Sequence, residues 1–278
     1  REDIMNKTCD KKYYLTLLTT LTTLFVSFLG FINQTIYTDR INQITKYELM
    51  GQDVVTIVIS LIFLCIIIFF NYSKIQTKIL WLGCLLYQFY IYAYYTFGGI
   101  TSVFYLLYIA ITGLSLFLFF FLLSDIIKTH NYPIAGKKYP RKSLSIFLWL
   151  TVLMVTIIEL QELVVKTILD KNALNPFYVF YILDLCIIFP LIVITSFLNF
   201  KKSEFGYLLS AVSLIKIITI LPAVIFNDIF HKIYVGYFLD LTFDIIAFFI
   251  TMTGILFIIL FFKNIESKDV SGTSYNSA

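Results

Sequence analysis

Eight long, continuously apolar stretches occupy most of this chain, at roughly residues 14–34, 52–70, 79–98, 102–124, 143–166, 177–198, 205–226 and 234–262. Each is close to the ~20 residues a helix needs to cross a hydrocarbon core about 30 Å thick. Backbone in lipid must satisfy its own hydrogen bonds, so stretches of this kind are helices. Strands of a membrane barrel would be shorter and would alternate. The sequence therefore reads as all-α, a polytopic transmembrane helix bundle of about eight spans. Only 14% of residues are charged, against roughly a quarter in soluble domains. The expectation is a single integral membrane domain over 1–278.

Lysine and arginine orient the spans. Arg1, Lys7, Lys11 and Lys12 precede the first; Lys74 and Lys78 follow the second; Lys128, Lys137, Lys138, Arg141 and Lys142 follow the fourth. Lys201 and Lys202 follow the sixth, and Lys263 and Lys268 follow the eighth, while the alternate loops hold only Arg40, Lys46, Lys166, Lys171 and Lys232. Positive loops stay inside, which makes both termini cytoplasmic in a plasma membrane, and an even span count requires the same. The net charge of +4 is spread over these loops and forms no patch for nucleic acid. The first run lacks an Ala-x-Ala-like end and is expected to stay as a helix rather than be cleaved as a signal, with Met5 the more natural start. The loop 125–142, with Pro133, Gly136 and Pro140, separates two candidate four-helix halves, 14–124 and 143–262. Each half has an aspartate early in its second helix, Asp53 or Asp184, then a basic loop, then Gly83-Cys84-Leu85-Leu86 or Gly206-Tyr207-Leu208-Leu209. Duplication about an axis along the membrane normal gives such a pattern and places a site between the halves.

With this topology the ionisable residues inside the spans gather toward the outer face. Asp53, Asp184, Asp240 and Asp244 lie near the starts of inward-running helices, and Glu159 and Glu162 lie near the end of an outward-running one. Lys216 falls near mid-depth of the seventh span. A charge at a helix centre costs about 2.5–3.5 kcal/mol on insertion scales, so these groups are expected to face the bundle interior or a wet cavity, with Asp53 and Glu162 the two best explained by headgroups alone. Asp240 and Asp244 are four apart and Glu159 and Glu162 three apart, so each pair shares a helix face. Gln88 adds an amide at similar depth. Lys216 is expected to pair with Asp184 at the cavity floor, and crowded carboxyls to share protons.

The third span carries Tyr87, Tyr90, Tyr92, Tyr94 and Tyr95. Tyrosines at this density read first as an interfacial aromatic belt. Tyr92 and Tyr95 share a face with Gln88 and could instead form an aromatic cage for a cation. Pro190 follows Asp184 and Pro222 follows Lys216, and each frees a backbone carbonyl where a helix can kink. Cys9, Cys65, Cys84 and Cys186 have no CxxC spacing and are expected as buried thiols. His130 and His231 fall in loops on opposite sides, so no metal site and no cofactor are expected.

The chain has no GxSxG, HExxH, P-loop or GxGxxG motif in a soluble unit. Gly236-Tyr237-Phe238-Leu239 before Asp240 is not the Gly-x-Gly-Asp of intramembrane aspartyl proteases, and Val212 stands where microbial rhodopsins carry an aspartate one turn before their lysine. Gly51-Gln52-Asp53-Val54-Val55-Thr56, Leu106-Leu107-Tyr108-Ile109-Ala110 with Gly113-Leu114-Ser115-Leu116, and Leu183-Asp184-Leu185 through Pro190 followed by Gly206-Tyr207-Leu208 resemble a family of uncharacterised multi-pass membrane proteins from bacteria, over roughly residues 50 to 225. The resemblance implies a shared eight-span body and no activity; Lys216 is not carried over from it.

Three functions remain open to the sequence. The first is transport or binding of a small cationic or protonatable solute at Asp184, Glu159 and Asp244, with Lys216 as counter-charge. The second is an enzyme acting on lipid headgroups or lipid-linked substrates through paired carboxylates. The third is a non-catalytic subunit whose polar groups serve assembly with a membrane-protein partner. The lipid bilayer is a partner in all three.

Overall fold

The computed structural model describes residues 2–38, 41–137, 139–165 and 178–266, with residues 2–10 described by backbone alone. Arg1, Arg40, Lys138, Lys166, Lys171 and Lys268 of the orientation argument lie outside the described residues, as do the side chains of Lys7 and Cys9. The long helices are α1 (Glu2–Ile32), α2 (Gln43–Phe69), α3 (Ile75–Phe97), α4 (Tyr105–Lys128), α5 (Arg141–Val164), α6 (Tyr178–Phe200), α7 (Glu204–Val235) and α8 (Leu241–Lys263). Seven of the eight are long and apolar enough to cross a membrane, making this an all-α, multi-pass membrane protein. The exception is α3, whose tyrosines and Gln88 lower its mean hydropathy. Every residue from Trp81 to Tyr95 is buried, and a helix enclosed by protein has no need to match lipid. The tyrosines therefore belong to the bundle interior and not to an interfacial belt.

Capping residues set the helix ends where hydropathy misplaces them. Asn42 accepts the Thr45 N–H and starts α2 nine residues before the predicted span. Ser203 caps α7 in the same way through the Gly206 N–H, and α7 continues past the expected end at 226 until Gly236, whose φ of 105° only glycine adopts without strain. Asp240, expected inside the last span, is instead the N-cap of α8, with its side chain accepting the Phe243 N–H. Hydropathy cannot register these turns, because they are helical and polar at once.

Helix α7 packs against α2, α3, α6 and α8. Around it the outer surface carries Phe69, Leu106, Phe117 and Phe249, all suited to lipid. Polar groups turn inward: Thr16, Thr19, Thr20, Thr23 and Ser27 form a buried stripe on α1. Thr16, Thr19 and Thr20 return their hydroxyls to carbonyls one turn back at 2.8–2.9 Å. Small hydroxylated residues let membrane helices approach closely.

Gly51 shows how tight that approach is. A Cβ there would lie 2.4 Å from the Phe226 carbonyl oxygen, a contact that neither backbone of α2 and α7 can relieve by rotating a side chain. Gly51→Ala is expected to cost about 1–3 kcal/mol, read as a lowered melting temperature in detergent; an unchanged melt would mean the two helices are not in van der Waals contact there.

Pairings between connections define the two ends of the bundle. At one end Tyr37 bridges to Ser102, and Tyr47 stacks on Tyr234 at 4.2 Å. At the other, Lys12 pairs with Asp125, Ile134–Ala135 (β1) pairs antiparallel with Ile265–Glu266 (β2), and Arg141 donates to the Ser203 carbonyl. Cys84 is buried, but Cys65 and Cys186 face outward against expectation, and all three are unpaired.

Candidate functional site

A cavity of about 630 Å³ opens among α5, α6, α7 and α8, with α2 and α3 behind. Glu159 and Glu162 enter it from α5, Asp184 from α6, and Asp240 and Asp244 from the start of α8. The extended parts of α2 and α7 add Glu48 and Asp228. Among the described residues the seven carboxylates face one lysine, Lys216 of α7.

The local structure of α6 explains how Asp184 comes to face Lys216. Pro190 cannot donate a backbone hydrogen bond, and the helix widens over Asp184–Ile188, where the Phe189 N–H reaches back five residues to the Asp184 carbonyl. Such π-turns recur where a helix must aim a functional side chain. The Lys216 ammonium donates to Asp184 Oδ1 at 3.2 Å and lies 3.9 Å from the centre of the Tyr90 ring. Tyr90 closes the triangle by donating its hydroxyl to Asp184 Oδ2 at 2.7 Å. Tyrosine thus acts on the cation through its face and on the anion through its hydroxyl. The tyrosine that does this is Tyr90, whereas the sequence pointed to Tyr92 and Tyr95.

Two carboxyl pairs flank this ion pair. Glu159, buried, sits beside Asp184, and Asp244 sits beside Asp228. Asp228 also accepts the Leu239 and Asp240 N–H groups and so fastens the α7–α8 turn beside the cavity. Glu162 and Asp240 are exposed at its mouth. His231 is buried in the last turns of α7, not in a loop, with its ring nitrogen 2.9 Å from the Tyr237 carbonyl oxygen. Among the described residues no group of three or more His, Cys, Asp or Glu side chains is arranged to hold a metal ion.

The remaining candidates from the sequence lie on the far face of α3. Asp53 is buried, not in a headgroup layer; it accepts the Tyr37 and Tyr95 hydroxyls, each at 3.1 Å. Tyr92 shares a hydrogen bond with Ser27 at 2.9 Å, and Gln88 donates to Thr20 at 3.3 Å. Positions 88, 92 and 95 form one stripe of α3, against α1 and α4, and position 90 lies on another. Burial beside the Asp53 carboxyl holds the Tyr37 phenol well above its ordinary value. Glu48 and Asp228 escaped the sequence reading because they lie in helix turns beyond the apolar windows. Asn42 as an N-cap and Gly236 as a terminator were the signals that could have brought them in.

No family model, no curated protein and no solved structure matches this chain. The site is therefore read from its own chemistry.

Proposed function

We propose that this protein binds and moves a small cationic or protonatable molecule through the carboxylate-lined cavity. The observation that carries the reading is the imbalance of seven carboxylates against Lys216 in one cavity. Such a lining repels anions and attracts ammonium groups. In this reading all eight helices span the membrane, α3 enclosed by the rest. Lys11, Lys12, Lys74, Lys78, Lys201, Lys202 and Lys263 lie at the end opposite the cavity mouth, which favours cytoplasmic termini, a plasma-membrane location and a mouth on the outer face. Asp184, Glu159 and Asp244 are the groups that meet the cation or carry protons, with Glu162 and Asp240 at the entrance. Lys216 acts as an internal counter-charge: it holds Asp184 until an incoming cation replaces it.

Stabilisation by ligand tests this. Methylamine, choline or putrescine at a hundred times its dissociation constant should raise stability by about 2.7 kcal/mol, and Asp184→Asn should remove that gain. Uptake into vesicles holding the purified protein should fall in the same variant. A wild-type protein whose melt responds to none of these amines, or an Asp184→Asn protein that responds as wild type does, would overturn the proposal.

A further inference from the structure

The cavity carries its carboxylates toward the mouth and is largely aliphatic beyond them, with Thr151 and Lys216 among its polar residues at depth. On α5 the face reads Glu162, Glu159, Val155, Val152 going away from the mouth, and on α6 it reads Asp184, Ile188, Ile192. On α7 the same progression runs from Asp228 to Val224, Leu221, Ile220 and Ile217. On each of the three helices the lining passes from carboxylate to aliphatic going away from the mouth, and on α7 it does so before reaching Lys216. The volume of about 630 Å³ falls within the ~300–1,000 Å³ of small-molecule sites. A methylamine-sized cation satisfied at Asp184 would leave this aliphatic arm empty.

The walls also part toward the mouth. Phe147 of α5 and Phe257 of α8 pack with ring centres 5.3 Å apart at the far end, while nearer the mouth the cavity lies between Val155 and Ile158 on one side and Phe243 on the other. Val155, Ile158 and Phe243 are half-buried. The two helices thus touch at Phe147 and Phe257 and stand apart where Val155, Ile158 and Phe243 line the cavity.

We infer that the ligand is a cationic amphiphile, an ammonium group on a hydrocarbon chain, seated with its head at Asp184 and Glu159 and its chain along Val155, Val152, Ile188 and Ile192. This rests on the reading of the cavity as a cation site and names the class of cation. The polarity of the cavity is that of a single-chain molecule already lying in a leaflet, head at the membrane face and tail toward the centre. A phosphate-bearing headgroup is disfavoured, because its anion would sit among the same carboxylates.

A series of primary n-alkylamines from ethyl to decyl, titrated against the purified protein in one detergent, tests this. Each methylene that enters the arm should tighten binding about fourfold. In Val155→Trp the indole fills the arm, and the gain in affinity from ethyl to decyl, taken relative to that variant's own ethylamine affinity, should flatten. Comparing two proteins in the same detergent cancels partition of the amine into micelles, and Val155→Phe carries the test if the tryptophan variant does not fold. If ethylamine binds and longer chains add nothing, or the gain is equal in wild type and Val155→Trp, the amphiphile assignment falls and the cation site stands. If no amine of any length binds, both fall. A lysolipid with ethanolamine and phosphate in its head should bind more weakly than the amine of equal chain length; tighter binding would overturn the assignment to a free amine and place the source in lipid headgroups.

Discussion

Lys216→Met is expected to cost about 3–5 kcal/mol of stability, because it removes the counter-charge from a buried carboxylate without replacing it. The Lys216 and Asp184 side chains are only 5% and 10% exposed, so water cannot stand in for the ammonium. Methionine conserves most of the lysine stem and its packing, so the loss reports the charge and its contact with Tyr90. Adding Asp184→Asn to that chain removes the orphaned anion and should restore most of the stability, giving a coupling of about 2–3 kcal/mol in a double-mutant cycle. The measurement is thermal or denaturant unfolding in a single detergent. A Lys216→Met protein that melts with wild type would show that no ion pair is formed there, and the counter-charge role would go with it.

The class of fold was legible because lipid leaves a chain few options, and apolar windows of full span length identify helices almost by themselves. The convergence of Glu159, Asp184, Lys216 and Asp244 was legible for the same reason: charge inside a span has nowhere to go but inward. What hydropathy could not show was which side of a helix each group takes when several neighbours compete for it. On α3, positions 88, 90, 92 and 95 are all buried, yet only Tyr90 looks toward α7 and Lys216, while the others face the threonines of α1 or the Asp53 cluster. Rotation of a fully enclosed helix is set by which partner fills which gap, and no polar-apolar contrast in the sequence records it. Glu48 and Asp228 lay outside every apolar window, and the turns that hold them are fixed by Asn42 and Gly236 rather than by hydrophobicity. Pro190 marked α6 for distortion, but a proline does not say whether a helix bends or widens; here the widened turn carries Asp184 toward Lys216.

Asp53→Ala should separate the two buried carboxylate clusters. It deprives the Tyr37 and Tyr95 hydroxyls of their shared acceptor, at about 1–3 kcal/mol for each group left unmet, so a loss of roughly 2–6 kcal/mol is expected. Asp53→Asn keeps an acceptor oxygen for one tyrosine and turns an N–H to the hydroxyl oxygen of the other, so it should lose less than alanine. Gly30 lies close enough that a Cβ on it would meet Asp53 Oδ2 at 2.2 Å, so the aspartate has no room to turn toward another partner. Because α3 stands between this cluster and the cavity, amine binding at Asp184 should be unchanged in Asp53→Asn. Alkali provides an independent readout. Tyr37 keeps its proton in the fold, whereas an unfolded tyrosine ionises near pH 10, so above about that pH the folded state holds more protons and its stability declines as pH rises. Tyr37→Phe removes that part of the slope while giving up the bond to Asp53. The decisive comparison is melting temperature against amine affinity across Asp53→Ala, Asp53→Asn and Tyr37→Phe. Lowered stability with wild-type affinity marks Asp53 as the anchor that ties the α1–α2 connection to α3, and lost affinity at wild-type stability would instead join it to the cation path.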